Sequence, residues 1–400
     1  MKAGWQSKTL GDACQIARGG SPRPIQDFMT DDPGGVNWVK ISDATASGKF
    51  IYVTKEKIKP SGVIRSRLVK PGDFLLSNSM SFGRPYIMHT TGCIHDGWLV
   101  LSDYEKCFDQ GFLYHLLGSP TVFEQFDRLA AGSTVRNLNI ELASRVVLPV
   151  PPLPEQHRIV TLLDEAFAGI ATAKANAEKN LQNARAIFES HLQSVFTQRG
   201  QGWLDKRLGD ICDRVSVGHV GPTTEFYCGS ENGIAFLRSQ NVRRGYLDWD
   251  GIQYVTKEFH QKLKKSQLRA GDLLFVRVGA NRGDCCSVPE GAGALNCANI
   301  VFARPTQGNA TFLERFCDSA DGRAQLLGMT TGSAQGVINT NSVAELIVPL
   351  PPLKDQMNIV ERLNAFQGET RHLESIYRQK LNALDELKKS LLHSAFNGEL

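Results

Sequence analysis

No stretch of this chain approaches the roughly 18 consecutive apolar residues of a membrane-spanning helix. An integral helical membrane protein is therefore excluded. Residues Met1 to Leu10 carry Lys2, Gln6, Ser7 and Lys8 among few apolar side chains, so the apolar centre of a secretory signal is missing. The nine cysteines at 14, 93, 107, 212, 228, 285, 286, 297 and 317 form no C-x-x-C pair, which argues against zinc ribbons, and an odd count suits a reducing interior. A bacterial or archaeal cytoplasm, or its equivalent, is the expected compartment. Catalytic equipment is missing too: there is no G-x-x-x-x-G-K-[ST] loop, no H-E-x-x-H and no G-x-S-x-G. Gly291 and Gly293 have neither a third glycine nor the strand-turn-helix setting of a dinucleotide fold. Glu386 with Lys388 comes nearest to a nuclease acid-lysine pair, yet both fall in a long helical segment where a solvated face explains them. No metal or cofactor site is expected in the chain. A formal net charge of +4, from 45 basic and 41 acidic residues, permits nucleic-acid binding without demanding it.

What the chain does have is a repeat. Val150-Pro151-Pro152-Leu153-Pro154-Glu155-Gln156 returns as Leu350-Pro351-Pro352-Leu353-Lys354-Asp355-Gln356. Ile159, Val160 and Leu163 recur as Ile359, Val360 and Leu363, and Ser190, Leu192, Ser194 and Phe196 as Ser390, Leu392, Ser394 and Phe396. Trp5, Lys8, Leu10, Gly11, Asp12 and Cys14 answer to Trp203, Lys206, Leu208, Gly209, Asp210 and Cys212, and Pro71-Gly72-Asp73-Phe74-Leu75 to Ala270-Gly271-Asp272-Leu273-Leu274. Tyr52-Val53-Thr54-Lys55-Glu56 reappears as Tyr254-Val255-Thr256-Lys257-Glu258, and Gly132-Ser133 as Gly332-Ser333. An internal repeat fixes architecture ahead of any motif. The expected fold class is α+β: two similar mixed α/β domains, at 1–150 and 200–350, alternate with two long helical regions, at 151–199 and 351–400.

Within the domains, strand-length apolar runs lie at Asp73–Leu76, Trp98–Leu101, Arg145–Val150, Asp272–Val278, Ile300–Ala303 and Glu345–Pro349. Helical patterns cover Phe108–Leu117, Val122–Ala131 and Phe312–Met329. Pro154–Phe196 and Lys354–Phe396 contain no interior proline and hold a heptad spacing, with Leu163, Ile170, Ala177, Ala184 and His191 as one set and Ala166, Ala173, Asn180 and Ile187 as the other. The second segment repeats the register with Leu363, Thr370, Tyr377, Leu384 and Leu391, and with Phe366, Leu373, Lys380 and Leu387. An alanine-rich seam facing a bulky one predicts that the two unlike helices pair with each other. At 1.5 Å per residue each spans roughly 63 Å, enough to act as a spacer as well as a core.

Polar and basic residues gather after matching strands in both halves. In the first half these are Lys40 and Ser42, then Asn78, Ser79, Ser81 and Arg84, and finally Thr134, Arg136 and Asn137. In the second they are Arg238, Gln240, Asn241 and Arg243, followed by Arg277, Asn281 and Arg282. Asn and Arg suit bidentate contacts to base edges, while Ser and backbone amides suit phosphates. A solvated turn explains any one of them; it is the clustering at matching places that favours DNA contact. The halves differ most at Phe82-Gly83-Arg84-Pro85-Tyr86 against Ala280-Asn281-Arg282-Gly283-Asp284, as two unlike reading surfaces on one frame would. If both grip one duplex, with its repeat of about 34 Å, the target has two unlike parts a turn or slightly more apart.

The doubled Pro-Pro-Leu-x-(Glu or Asp)-Gln, the endings Ser194-Val195-Phe196 and Ser394-Ala395-Phe396-Asn397-Gly398-Glu399-Leu400, and the Gly-Asp-x-Leu strands resemble the specificity subunits of type I restriction-modification enzymes over essentially the whole length. That resemblance implies two target recognition domains separated by helices that pair antiparallel as a coiled coil, each domain reading half of an asymmetric bipartite sequence in double-stranded DNA. It also implies partners: two methyltransferase subunits, which use S-adenosylmethionine on adenine, and two motor-nuclease restriction subunits, which use ATP and Mg. The chain itself is then a non-catalytic recognition subunit, with Phe167 and Leu392 on the helices as possible docking positions. A coiled-coil adaptor without sequence-selective DNA binding is the alternative.

Overall fold

The computed structural model describes residues 2–78, 83–130, 138–328 and 336–400. It divides into two compact units, Met1–Glu178 with Gln379–Leu400, and Lys179–Arg378. The first unit contains two five-stranded sheets. One runs, in spatial order, Met29–Thr30, Glu56–Ile58, Val36–Val39, Gly92–Ile94 and Arg67–Val69; the other runs Gln15–Arg18, Trp98–Ser102, Phe74–Ser77, Pro85–Met88 and Phe50–Ile51. Phe74–Leu76 and Trp98–Leu101 are buried along their length, which is why they read as unbroken apolar runs rather than alternating ones.

The second unit repeats the plan with a four-stranded sheet in place of one five-stranded sheet and with an added hairpin. Its five-stranded sheet runs Tyr227–Cys228, Gln253–Val255, Ile234–Leu237, Leu295–Cys297 and Gln267–Leu268. A four-stranded sheet runs Cys212–Val217, Ile300–Pro305, Leu273–Val276 and Cys285–Ser287, and a short hairpin pairs Val242–Arg243 with Tyr246–Leu247. In each unit a further strand pair closes the domain, Gln6–Thr9 with Val147–Val150 and Leu204–Arg207 with Ile347–Leu350. The next amide bonds alike in both, from Leu10 to the Val146 carbonyl and from Leu208 to the Leu346 carbonyl, at 2.8 Å each.

One of the sequence echoes is not structural. Ile58 pairs with Val36 and Val255 with Ile234, so the strand Glu56–Ile58 matches Gln253–Val255. Tyr254-Val255 is therefore strand, while Tyr52-Val53 is an exposed connection. The expected helix Phe312–Met329 is likewise two helices, Ala310–Asp318 and Ala320–Gly328, with Met329 itself outside the described residues. Buried Ser319 breaks it: its hydroxyl accepts from Gly322 N at 3.2 Å, and its backbone is extended. Gln110–Leu117 and Pro120–Ala130 form the matching pair in the first unit.

The long helices are Leu153–Thr197 and Leu353–Asn397, and the unit boundary falls inside both. In the first unit Arg158 bonds the Leu400 carbonyl at 2.7 Å and Lys174 pairs with Asp385 at 2.6 Å, so one helix ascends as the other descends. In the second, Arg185 pairs with Glu374 at 3.1 Å and the His191 ring meets the Phe366 ring at a tilt, with centroids 4.7 Å apart, again antiparallel. The first heptad set is the seam, since Leu163, Ile170, Ala177, Ala184, Leu363 and Thr370 are all buried. The second set is not a seam: Ala166 and Ala173 are half-buried, and Ile187, Leu373 and Leu387 are exposed. Each helix also packs on a domain, which turns the neighbouring positions inward instead. Phe396 meets Phe112 in the first unit and Phe196 meets Phe312 in the second, both with ring centroids 5.4 Å apart.

The repeated glutamine explains the Pro-Pro-Leu motif. Gln156 is fully buried; its Oε1 accepts from Asp109 N at 2.8 Å, and its Nε2 donates to the Cys107 and Pro151 carbonyls. Gln356 does the same with Asn309 N and the Pro351 carbonyl. Asp109 and Asn309 are in turn the side-chain caps of the helices that begin at Gln110 and Ala310. One side chain therefore fixes the start of each long helix to the start of a domain helix.

Candidate nucleic-acid interface

In both units the loops expected to contact DNA leave the ends of paired strands, and a capping residue shapes each first loop. After Val36–Val39, Asp43 accepts from Lys40 N at 3.0 Å; after Ile234–Leu237, Asn241 accepts from Arg238 N at 3.0 Å and donates to the Asp248 carbonyl. Asn241 is fully buried, so it holds the loop, and its side chain does not reach outward. Lys40 points to Glu56, whereas Ser42 is exposed. In the second unit Gln240 is exposed, and Arg243 lies half-buried, bonding the Val242 carbonyl at 3.0 Å with Asp248 at 3.7 Å. The Arg238 guanidinium leans toward the Gly251 carbonyl at 3.5 Å and leaves its Nε buried without a partner.

The second loops follow the Gly-Asp strands. Gly72 at φ 98° and Gly271 at φ 81° turn the chain where a side chain would be strained, and Asp73 and Asp272 accept from the backbone N of Lys70 and Arg269 at 2.9 and 2.8 Å. The aspartate of this motif is thus a turn cap. Asn78 is buried and donates to the Asp96 carbonyl at 2.8 Å, so it too is an internal brace. Arg277 bonds the Ile338 carbonyl at 3.3 Å and Arg282 the Gly336 carbonyl at 2.9 Å, tethering their loop from within while Asn281 projects outward, exposed. Gly83 N bonds Ser77 O at 2.7 Å and Gly283 N bonds Val276 O at 3.0 Å. These two glycines are therefore equivalent, and exposed Arg84 stands where the second unit has Asp284. Ser79, Ser81, Thr134, Arg136 and Asn137, and with them the Gly132-Ser133 and Gly332-Ser333 echoes, lie outside the described residues.

The structure adds the turn His95-Asp96-Gly97 to the first loops, a contribution with no sequence motif to announce it. Ser21 Oγ donates to Asp96 Oδ1 at 2.8 Å; chiefly through that bond the Asp96 carboxyl is held below its ordinary range, with Arg23 3.5 Å away. Burial pushes His95 below the usual histidine value. A cleft of about 1040 Å³ opens beside Lys40 and Ser42, lined by Ile25, Met29, Trp38 and His95 among others. Among the described residues no group of three or more His, Cys, Asp or Glu side chains is placed to hold a metal ion, and no helix is long and apolar enough to cross a membrane.

Comparison with known proteins agrees with this architecture. A family model described as the type I restriction modification DNA specificity domain matches residues 2–182. The chain is 25% identical over 384 residues to the type I restriction enzyme EcoKI specificity subunit of Escherichia coli (strain K12), covering 88% of this chain and 80% of that one. It is 20% identical over 420 residues to the MjaVIII specificity subunit of Methanocaldococcus jannaschii, covering 99% and 93%. Among solved structures, a chain from work on complex assembly and conformational transition of the type I R-M system matches at TM-score 0.81, with 20% identity over 100% of this chain and 99% of that one. The HsdS subunit from Thermoanaerobacter tengcongensis matches at TM-score 0.64, with 19% identity over 100% and 98%. At such identities the structural likeness speaks for the fold alone. The chain is thus similar over most of its length to type I restriction enzyme specificity subunits, and its residues 2–182 match the model of their DNA specificity domain.

Proposed function

We propose that the chain reads an asymmetric, two-part sequence in duplex DNA, one part with each unit, and presents it to partner subunits that carry the chemistry. The observation that carries this reading is the pairing of one frame with two unlike surfaces. Strand pairs, turn caps and glycine returns match between the units, while the exposed side chains on the matching loops, Ser42 and Arg84 against Gln240 and Asn281, do not. A structural role alone gives no reason for that pattern of difference. The inward residues Asn78, Asn241, Arg277 and Arg282 set loop shape, and the exposed ones reach base edges or phosphates. S-adenosylmethionine, ATP and Mg are then held by two methyltransferase and two restriction subunits, in the cytoplasm and away from any membrane.

Docking of the methyltransferase subunits falls on other helix positions than Phe167 and Leu392. Leu392 is buried in the first unit's core, and Phe167 is half-buried with its ring against His115. The exposed large apolar side chains on the two long helices are Ile187, Leu353, Met357, Leu373 and Ile376 in the second unit and Leu153, Leu162 and Leu387 in the first.

Asn281→Ala is expected to cost about 1–3 kcal/mol at one base position of one half-site and to relax preference there, leaving the other half-site unchanged. Competition binding with duplexes varied one position at a time reads this out. Equal weakening on every sequence would make Asn281 a phosphate contact, and no sequence preference in the unaltered protein would favour the adaptor reading.

A further inference from the structure

The first unit holds a basic pocket that its counterpart in the second unit lacks. It has a volume of about 580 Å³ and lies where the domain meets the long helices, lined by Lys49, Arg84, Tyr114, His115, Asp164 and Lys388 among others. Lys49 Nζ stands 4.7 Å from the centroid of the Tyr114 ring and Lys388 Nζ 4.8 Å from that of Phe167, so both ammonium groups rest on aromatic faces at the pocket wall. Among the described residues no carboxylate lies within ion-pair distance of Lys49, Arg84 or Lys388, although such pairs are common elsewhere in the chain. The one acid in the lining, Asp164, is engaged by His115, with Nε2 and Oδ1 2.7 Å apart. Three cations therefore face a cavity whose one carboxylate, Asp164, is bonded to His115, so positive charge is in excess there.

The repeat supplies the control. At the corresponding places the second unit has Arg315 for His115, Asn364 for Asp164, Phe188 for Lys388 and Asp284 for Arg84. Arg315 bonds Asn364 at 3.0 Å and Gln367 at 2.9 Å, and Asp284 is taken by Arg323 at 3.4 Å. The nearby Arg185 and Arg244 are matched by Glu374 and Glu189. The same junction is thus internally neutralised in one unit and left positive in the other. A solvated lysine face does not account for this, because Lys49 and Lys388 converge from a domain loop and a long helix onto one cavity.

The geometry points to a phosphate-binding site formed by Lys49, Arg84 and Lys388, which takes a phosphodiester of the DNA backbone beside the first unit. This rests on the DNA-recognition reading above, and it adds a non-sequence-reading grip on one side of the target only. The test compares DNA binding of the full chain, in its methyltransferase assembly, with that of a Lys49→Gln/Lys388→Gln variant, across a salt series and on specific and scrambled duplexes.

Loss of one phosphate contact makes the slope of log affinity against log salt shallower by about 0.9 and weakens binding roughly fivefold at 0.15 M salt, equally on both duplexes. A Lys49→Arg/Lys388→Arg variant keeps the charge and restores the slope, which separates lost charge from lost folding. An unchanged slope in the glutamine variant overturns the inference while leaving the DNA reading intact. If inorganic phosphate at millimolar concentration stabilises the unaltered chain to heat but not the glutamine variant, and the DNA slope is unchanged, the site belongs to a free anion and the backbone assignment is overturned. Absence of selective DNA binding by the unaltered assembly defeats the underlying reading instead.

Discussion

Asp272→Ala is expected to destabilise the second unit by about 3–5 kcal/mol, the largest single-residue effect this fold predicts. Arg304 Nε and Nη2 reach the two Asp272 oxygens at 2.8 and 2.6 Å, and the aspartate side chain is only 1% exposed. Bonding to Asp272 raises the Arg304 guanidinium further above its ordinary value, and because that ordinary value already lies far above neutral pH, the group stays charged when the partner is removed. The alanine variant then leaves a largely buried cation, 12% exposed, without its counter-charge, and it also frees the Arg269 amide that Asp272 caps. The Asp272→Asn/Arg304→Met double variant removes both charges and keeps an acceptor for that amide. It should recover most of the loss, because a well-packed neutral pair replaces a buried ion pair at little cost. Urea denaturation followed by amide exchange along Leu273–Val276 measures both. A cost under about 1 kcal/mol for Asp272→Ala would mean that solvent reaches the pair.

Gln156→Ala is the second large effect, at about 3 kcal/mol in the first unit. Each buried polar group left unbonded costs about 1–3 kcal/mol, and this change strands the Asp109 amide and the Cys107 and Pro151 carbonyls together. Gln356→Ala strands two such groups, Asn309 N and the Pro351 carbonyl, and should cost less. The Gln156→Glu variant separates the roles, since it keeps the acceptor for Asp109 and loses both donations. It should fall between the parent and the alanine variant in thermal unfolding. Equal stability of all three would show that the glutamine ties nothing.

What was legible in the sequence was what local pattern determines. The central strands Phe74–Ser77 and Leu273–Val276 are buried on both faces, so continuous apolar runs mark them, and the long helices follow from proline-bounded heptads. The shared domain fold followed from matching turns such as Gly72-Asp73 and Gly271-Asp272, whose glycine and aspartate are each required by the turn itself. Illegible features depend on packing across distance. The second heptad set failed as a seam because Phe167 and Phe188 turn toward the domains, and no helical period records which side a domain will cover. Asn78 and Asn241 have the composition of base readers, but burial assigns them to their own loops. The Tyr-Val-Thr-Lys-Glu echo lines up Val53 with Val255 in sequence, yet in the sheet Ile58 takes the place of Val255, because strand pairing decides equivalence. Lys49 and Lys388 are too far apart in the chain for any motif to join them, and only the fold brings them to one pocket.

The central claim is that one repeated frame reads two unlike halves of a DNA target. Mapping methylated adenines across a genome with and without this chain, its methyltransferase partner being present in both cases, tests it most directly. The account predicts methylation that depends on the chain and falls at two short, different half-sequences with a fixed gap between them. A methylation map unchanged by removing the chain, or a single undivided target, would contradict it.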